Sequence, residues 1–344
     1  MREGSGVPGS KGSGAGTRTP EPLNPRTPPF GITCGDPAGI GPEIVLKALD
    51  RVPRLHPVII GPRDVFEREQ RRLRTRADLG LVDDSVEGPG RFDYGKPQVL
   101  CGSTALLALE MGVHRLLMGQ IGALVTAPVS KEALRMAGFR WPGQTEFLAE
   151  RLRAKDHAMF AWTPKFKVVF VTIHTPLARA SRHITAAAVA EKAALLNQFL
   201  LAEGLKRPRI CVMAFNPHAT EFSLGEEARI ASGIARARRA GICAVGPVPA
   251  DAAVASLSRT RASASTIGPS SYDGFVAMYH DQAMIPAKLL GRDRGVNVTL
   301  GLGRIRTSPL HGVAFDIAGR GIASPGSMLS AIRLAQRLSR SRAS

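Results

Sequence analysis

A chain of 344 residues that is 44% hydrophobic but only 5% aromatic can bury a large core, and its wealth of small aliphatic residues suits layered α/β packing better than an all-β sandwich. Four cysteines (Cys34, Cys101, Cys211, Cys243) without a Cys-x-x-Cys pair argue against a disulfide frame or a thiolate metal site. The net charge of +18 comes from 36 Arg and 10 Lys spread over the whole chain; its densest cluster, Arg68–Arg76, has helical spacing and no interleaved aromatics, so it reads as a solvated face and argues against a nucleic-acid partner.

Residues 1–29 are rich in Gly, Ser, Pro and Thr and lack an apolar signal core, which predicts a disordered extension. No run approaches the roughly 18 apolar residues that span a bilayer, so a cytoplasmic protein with no membrane partner is expected. "FGITC" (30–34) predicts a strand, and "GPEIVLKALDRV" a helix with Pro42 at its first turn. "PVIIG" and "RDVFEREQRRL" repeat strand and helix, followed by the helix "STALLALEMGVHRLLMG" and the strand "ALVTAPV". "SKEALRMAG" is capped by Ser130 and stopped by Gly138, and another helix starts near Thr145.

The rhythm continues with the strand "KVVFVTIH", a long helix capped by Thr185, the strand "RICVMAFNPH" and the helix "GEEARIASGIARARRAG". "GFVAMYH" and "GVNVTL" predict strands, and "SMLSAIRLAQRL" a closing helix. Such alternation predicts an α/β fold of mainly parallel strands covered by helices on both faces. The elements outnumber one compact sheet, which predicts two α/β/α lobes. The first is 30–128 plus 304–344 and the second 129–303, with the active site in the cleft between them. Ser256–Ser271, low in complexity, predicts a mobile surface excursion.

Three predicted strands run out to a histidine: His174, His218 and His280. Ligands of open parallel sheets bind beyond the carboxyl ends of the strands. Three imidazoles there suit a divalent metal with open positions for substrate, and Asp281 or Asn216 is placed to orient a ring. A single strand-end histidine is more often a hydrogen-bonded structural residue; the repetition is what points to a metal. Lys288, Arg292, Arg294, Asn297, Arg304 and Arg306 follow within one short stretch, offering point charges and bidentate forks for phosphate or carboxylate, although arginine is common throughout this chain. No Walker A or Gly-x-Gly-x-x-Gly sequence appears; "GDPAGIGPEI" is glycine-rich but differently spaced.

Taken together, "GDPAGIGPEI", "TAPVSKEAL", "WPGQTEFLAERL", "IHTPLA", "NPHA", "GPVPADAA", "AMYHDQ", "RGVNVTLGL", "IRTS" and "AGRG" resemble the 4-hydroxythreonine-4-phosphate dehydrogenase family of vitamin B6 biosynthesis, in order along all but the ends of the chain. The resemblance implies two lobes similar to those of isocitrate and isopropylmalate dehydrogenases, and a homodimer whose active site is completed across the interface. It places His174, His218 and His280 on divalent-metal ligands (Zn, Mg or Co). Gln144, Thr145, Lys288, Asn297 and Arg306 fall on positions binding a small anionic substrate. The implied reaction is metal-assisted oxidation of 4-phosphooxy-L-threonine at its secondary hydroxyl by NAD or NADP, then decarboxylation to 3-amino-2-oxopropyl phosphate. Asp281, Asp251 and Lys288 are the candidates for the proton acceptor.

The chain departs from the family pattern in places. Gln144 stands where the family usually has His, and cannot carry a proton. The glycine-rich segment after "NPHA" is replaced by "TEFSLGEE", "PADAAVAS" lacks the expected Thr and Phe, the 251–280 loop is longer, and Ala283 replaces Gly. These changes leave open a paralogue acting on a phosphorylated tetronate or a dihydrodiol dicarboxylate. A metal hydrolase and a basic nucleic-acid-binding protein are the readings from other classes.

Overall fold

The computed structural model describes residues 28–79, 82–83, 85–258 and 272–343. Most of the predicted extension and residues 259–271 of the predicted excursion lie outside the described residues. Among the described residues there are eleven strands: β1 (Phe30–Thr33), β2 (Val58–Ile60), β3 (Val82–Asp83), β4 (Ala123–Thr126), β5 (Ala158–Trp162), β6 (Lys167–Phe170), β7 (Arg209–Met213), β8 (Cys243–Val248), β9 (Gly274–Ala277), β10 (Val296–Leu300) and β11 (Ile305–Pro309).

They join in one sheet, in the order β3-β2-β1-β4-β11-β10-β5-β6-β9-β7-β8, where the element count had suggested more than one. Neighbours are parallel except at β11–β10, β10–β5 and β5–β6. Those three reversals make β1–β4 with β11 one parallel block and β6–β9 another of opposite direction, joined through β10 and β5. One hydrogen-bonded ladder thus carries both halves. The central strands are near-continuous apolar runs such as Gly274–Ala277, buried on both faces, as a helix-covered parallel sheet requires.

Local signals placed most helices. Pro42 opens Gly41–Asp50. The Ser130 hydroxyl accepts from the Ala133 N–H at 3.1 Å, and that of Thr185 from Ala188 N–H at 3.1 Å, capping Lys131–Met136 and Ala186–Ala202. Among the described residues, Val99–Leu117 is the helix long and apolar enough to cross a membrane; half of it is buried, with Cys101, Ala105, Ala108 and Leu109 inside the protein.

Two readings change. The strands "KVVFVTIH", "RICVMAFNPH" and "GFVAMYH" stop at Phe170, Met213 and Ala277, so each histidine lies beyond its strand. His280 instead opens a helix, His280–Gly291, which contains Pro286 and was not predicted. The strand ends are tied together: Thr172 Oγ1 donates to the Met278 carbonyl (2.8 Å), Met278 N–H donates to Gln282 Oε1 (2.7 Å), and Gln282 Nε2 donates to the Ala214 carbonyl (2.6 Å). One glutamine thereby staples the end of β9 to that of β7.

Candidate active site

Strands β6, β9 and β7 are neighbours, so His174, His280 and His218 follow three consecutive parallel strands at one edge of the sheet. Adjacent strands lie about 5 Å apart, which brings the loops carrying the rings side by side. His280 Nδ1 lies 2.6 Å from Asp281 Oδ1. A carboxylate there holds the proton on Nδ1 and leaves Nε2 as a lone-pair donor. His174 is half exposed, 3.9 Å from Glu146 Oε1. Burial first, then the charges of Lys131 and His280, press its pKa below the usual imidazole value against the opposing pull of Glu146, so the ring is neutral at pH 7. His218 is exposed, with Glu221 Oε2 at 3.9 Å and the Phe222 ring at 5.8 Å.

Three imidazoles are a donor set that suits a borderline divalent ion. Among the described residues, no three His, Cys, Asp or Glu side chains converge in one chain into a group able to hold a metal. His174 and His280 share an electrostatic neighbourhood, whereas no contact joins His218 to either.

Arg306 is the most unusual side chain nearby. It is 2% exposed, and among the described residues no carboxylate lies within ion-pair distance of it. Its Nη2 donates to Thr126 Oγ1 (2.7 Å) and to Gln144 Oε1 (2.8 Å), Nε to Thr126 Oγ1 (3.2 Å), and Nη1 to Thr299 Oγ1 (3.2 Å). Burial pushes its pKa down to about 10, with only the charge of Glu146 opposing. A guanidinium held by hydroxyls and an amide, with no counter-ion, is built to receive an anion. Gln144 and Thr145 lie in the first turn of the helix Gln144–Arg151, and Glu146 on the same turn reaches towards His174. This turn links the arginine to the imidazole edge.

A pocket of 190 Å³ lies beside it, lined by His280, Met284 and Lys288 from one face of the helix His280–Gly291, together with Asn297, Met159 and His311. Asn297 Oδ1 is buried there with no hydrogen-bond partner, an acceptor available to a ligand hydroxyl or ammonium. Among the candidate proton acceptors, Asp281 and Lys288 belong to this region. Asp251 is exposed on the helix Ala250–Ala255, which follows the edge strand β8.

Sequence reasoning passed over Glu146, Lys131 and His311. Lys131 Nζ lies close to Gly143 and acts on His174, and Glu146 Oε2 is buried without a partner. Both stood inside quoted motifs, "TAPVSKEAL" and "WPGQTEFLAERL", but nothing in their spacing marks them as site residues. His311 donates from Nδ1 to the Gly312 carbonyl (3.0 Å), and burial lowers its pKa, leaving a neutral ring on the pocket wall.

An open, mostly parallel α/β sheet with cations and imidazoles gathered at one site defines the class: an α/β enzyme acting on a small anion. Residues 53–335 match the family model described as Pyridoxal phosphate biosynthetic protein PdxA, and the chain belongs to that family. It is 38% identical over 335 residues to the 4-hydroxythreonine-4-phosphate dehydrogenase of Caulobacter vibrioides, covering 90% of this chain and 97% of that one. It is also 38% identical over 329 residues to the D-threonate 4-phosphate dehydrogenase of Salmonella typhimurium, covering 89% and 98%. The crystal structure of 4-hydroxythreonine-4-phosphate dehydrogenase from Klebsiella pneumoniae superposes with a TM-score of 0.77 at 34% identity, over 91% of this chain and 100% of that one. The expected architecture, similar to isocitrate and isopropylmalate dehydrogenases, is that of these neighbours. The chain is an oxidoreductase of a family that uses a nicotinamide dinucleotide and a divalent metal, which displaces the hydrolase and nucleic-acid readings.

Proposed function

We propose that this protein oxidises 4-phosphooxy-L-threonine at its secondary hydroxyl with NAD or NADP and releases 3-amino-2-oxopropyl phosphate after decarboxylation, as a cytoplasmic homodimer. The observation that carries the reading is Arg306, a buried cation without a counter-ion, joined through Gln144 to the turn that reaches His174. In this reading Arg306 and Lys288 hold the substrate's anionic groups, Thr145 and Gln144 flank them, and the free Oδ1 of Asn297 accepts from the substrate's donors. His174, His218 and His280 hold the divalent ion. When bound, that ion supplies Lewis acidity at the reacting hydroxyl and the dinucleotide supplies a hydride acceptor. Asp281 fixes the His280 tautomer, and with Lys288 is the nearest group able to hold the departing proton. The two parallel blocks of the sheet correspond to the lobes 30–128 plus 304–344 and 129–303.

A second copy completes the site. Leu177 follows His174, Phe222 and Leu224 follow His218, and Ile285 and Leu289 share the helix of His280; all five are exposed, at 57–91%. Exposed apolar side chains this close in the chain to the three histidines suit burial against another protomer.

The test is NADH formation by the purified protein from 4-phosphooxy-L-threonine, before and after chelation, with zinc, magnesium or cobalt added back. Metal-dependent turnover is expected. His280→Ala should abolish it while leaving the melting temperature unchanged; a variant that keeps rate and metal would remove His280 from the site. A second reading, oxidation of D-threonate 4-phosphate, is favoured by Gln144. With Oε1 committed to Arg306, its amide presents N–H donors to the ligand, and cannot protonate as His does. If that reading holds, D-threonate 4-phosphate will be the better substrate, and Gln144→His will shift the ratio of kcat/KM values towards the amino acid. An unmoved ratio would exclude residue 144 as the discriminator.

A further inference from the structure

We propose that Glu227 is a positioning residue for the third imidazole: its buried carboxylate holds the Asn216–Ala219 turn in the conformation that aims His218 at the metal. The proposal rests on the reading of His218 as a metal ligand and adds the device that places it.

The turn is one that histidine does not favour. Ala219 N–H donates to the Asn216 carbonyl at 3.3 Å, with Pro217 and His218 as the central residues. His218 has φ 55° and ψ 16°, the second central position of a type II turn, where glycine is the usual occupant. Ala219 follows at φ 60°, so two successive side-chain-bearing residues are left-handed. A loop with this backbone relaxes unless its surroundings over-determine it.

Glu227 supplies that constraint. It lies in the first turn of the helix Glu226–Arg239 and is 1% exposed. Its Oε1 accepts from the N–H groups of Phe215 (3.1 Å) and Asn216 (2.8 Å), and its Oε2 accepts from Asn216 Nδ2 (3.0 Å). Glu226 Oε2 adds a longer bond from the same amide (3.3 Å) and one from Leu224 N–H (3.0 Å). Among the described residues no lysine or arginine pairs with Glu227. Its charge is therefore balanced by the residues that lead into the turn and by the helix N-terminus. Glu221 is the other carboxylate near His218, but it is 66% exposed and 3.9 Å from the ring, too far to orient it.

The experiment is Co²⁺ binding to the full-length protein, by calorimetry and by the visible spectrum of the bound ion, in wild type, E227Q, E221Q and H218A. Dinucleotide affinity and thermal melting are measured alongside. E227Q removes the charge and places a donor against Asn216, so Co²⁺ affinity should fall about 10–100-fold, with dinucleotide affinity unchanged. E221Q should bind as wild type. In E227Q/H218A the loss should not exceed that of H218A alone, because both act through one ligand. If H218A binds Co²⁺ as wild type does, the metal reading itself fails. If H218A is impaired and E227Q is not, the metal reading stands and the positioning role is overturned. Should E227Q not fold, Asn216→Ala carries the test, since it leaves both backbone bonds to Glu227 intact. It should weaken Co²⁺ binding several-fold, and unchanged affinity would overturn the proposal.

Discussion

Arg306→Met should reduce kcat/KM by two to three orders of magnitude and leave the protein at least as stable as wild type. Truncating one partner of a desolvated, charge-assisted contact costs about 2–5 kcal/mol, which sets the size of the kinetic loss. The stability term has the opposite sign. Burial lowers the folded pKa of Arg306 well below the ordinary guanidinium value, to about 10, which at about 1.4 kcal/mol per pKa unit amounts to about 3 kcal/mol against the folded state. A base with a depressed folded pKa carries that penalty at every pH well below 10, and it is relieved only as pH rises through 10. Methionine fills much of the volume without the charge, at the expense of the bonds to Thr126, Thr299 and Gln144. Arg306→Lys should not restore activity, because an ammonium cannot span those three acceptors at once. Denaturant unfolding and steady-state kinetics on both variants decide the matter. A protein destabilised by more than about 1 kcal/mol that still turns over normally would make Arg306 a structural tie.

The second large effect lies away from the reacting groups. Asp36, in the turn between β1 and the helix Gly41–Asp50, is fully buried; Oδ1 accepts from Ala38 N–H at 2.9 Å, and Oδ2 has no partner. Burial raises its pKa from 3.8 to about 6, with the backbone N–H groups of Ala38 and Ser130 opposing. Below pH 4 the carboxyl is neutral in both states and nothing is lost. Between pH 4 and 6 the unfolded chain ionises first, so the folded state loses up to about 3 kcal/mol, and the loss persists above pH 6. Asp36→Asn retains an acceptor for Ala38 and removes the ionisation. Its stability should exceed that of wild type at pH 7.5, and the two should converge near pH 4. Urea midpoints across that range will test this; parallel curves for the two proteins would mean that Asp36 ionises in the native state as easily as in water.

Both predictions depend on contacts that no window of sequence contains. Arg306 was legible as one arginine among many in a basic stretch, and Gln144 as a departure from the family pattern. The contacts of Arg306 with Thr126 and Thr299 follow from β11 lying between β4 and β10, and its bond to Gln144 from the helix Gln144–Arg151 packing against that edge. The helix starts at Pro42, Ser130 and Thr185 were readable because capping is decided within one turn of the chain. β8 escaped because Gly246-Pro247 reads as a turn. The helix His280–Gly291 escaped because Pro286 breaks its pattern and the apolar run before it carries the strand signal past Ala277. Glu226 and Glu227 sit in the first turn of their helix, and nothing local in the sequence shows that Glu227 closes on Phe215 and Asn216.

By itself, the amino-acid sequence determined the α/β class and the family, and it singled out three imidazoles and the cations near them as candidates, because periodicity, caps and motif spacing are short-range properties of the chain. Tertiary structure decided that one sheet carries both halves, that β6, β9 and β7 are neighbours, and that Arg306 is buried with no ion-pair partner among the described residues. Strand pairing and burial join residues far apart in the chain, and they are settled only by how the layers pack.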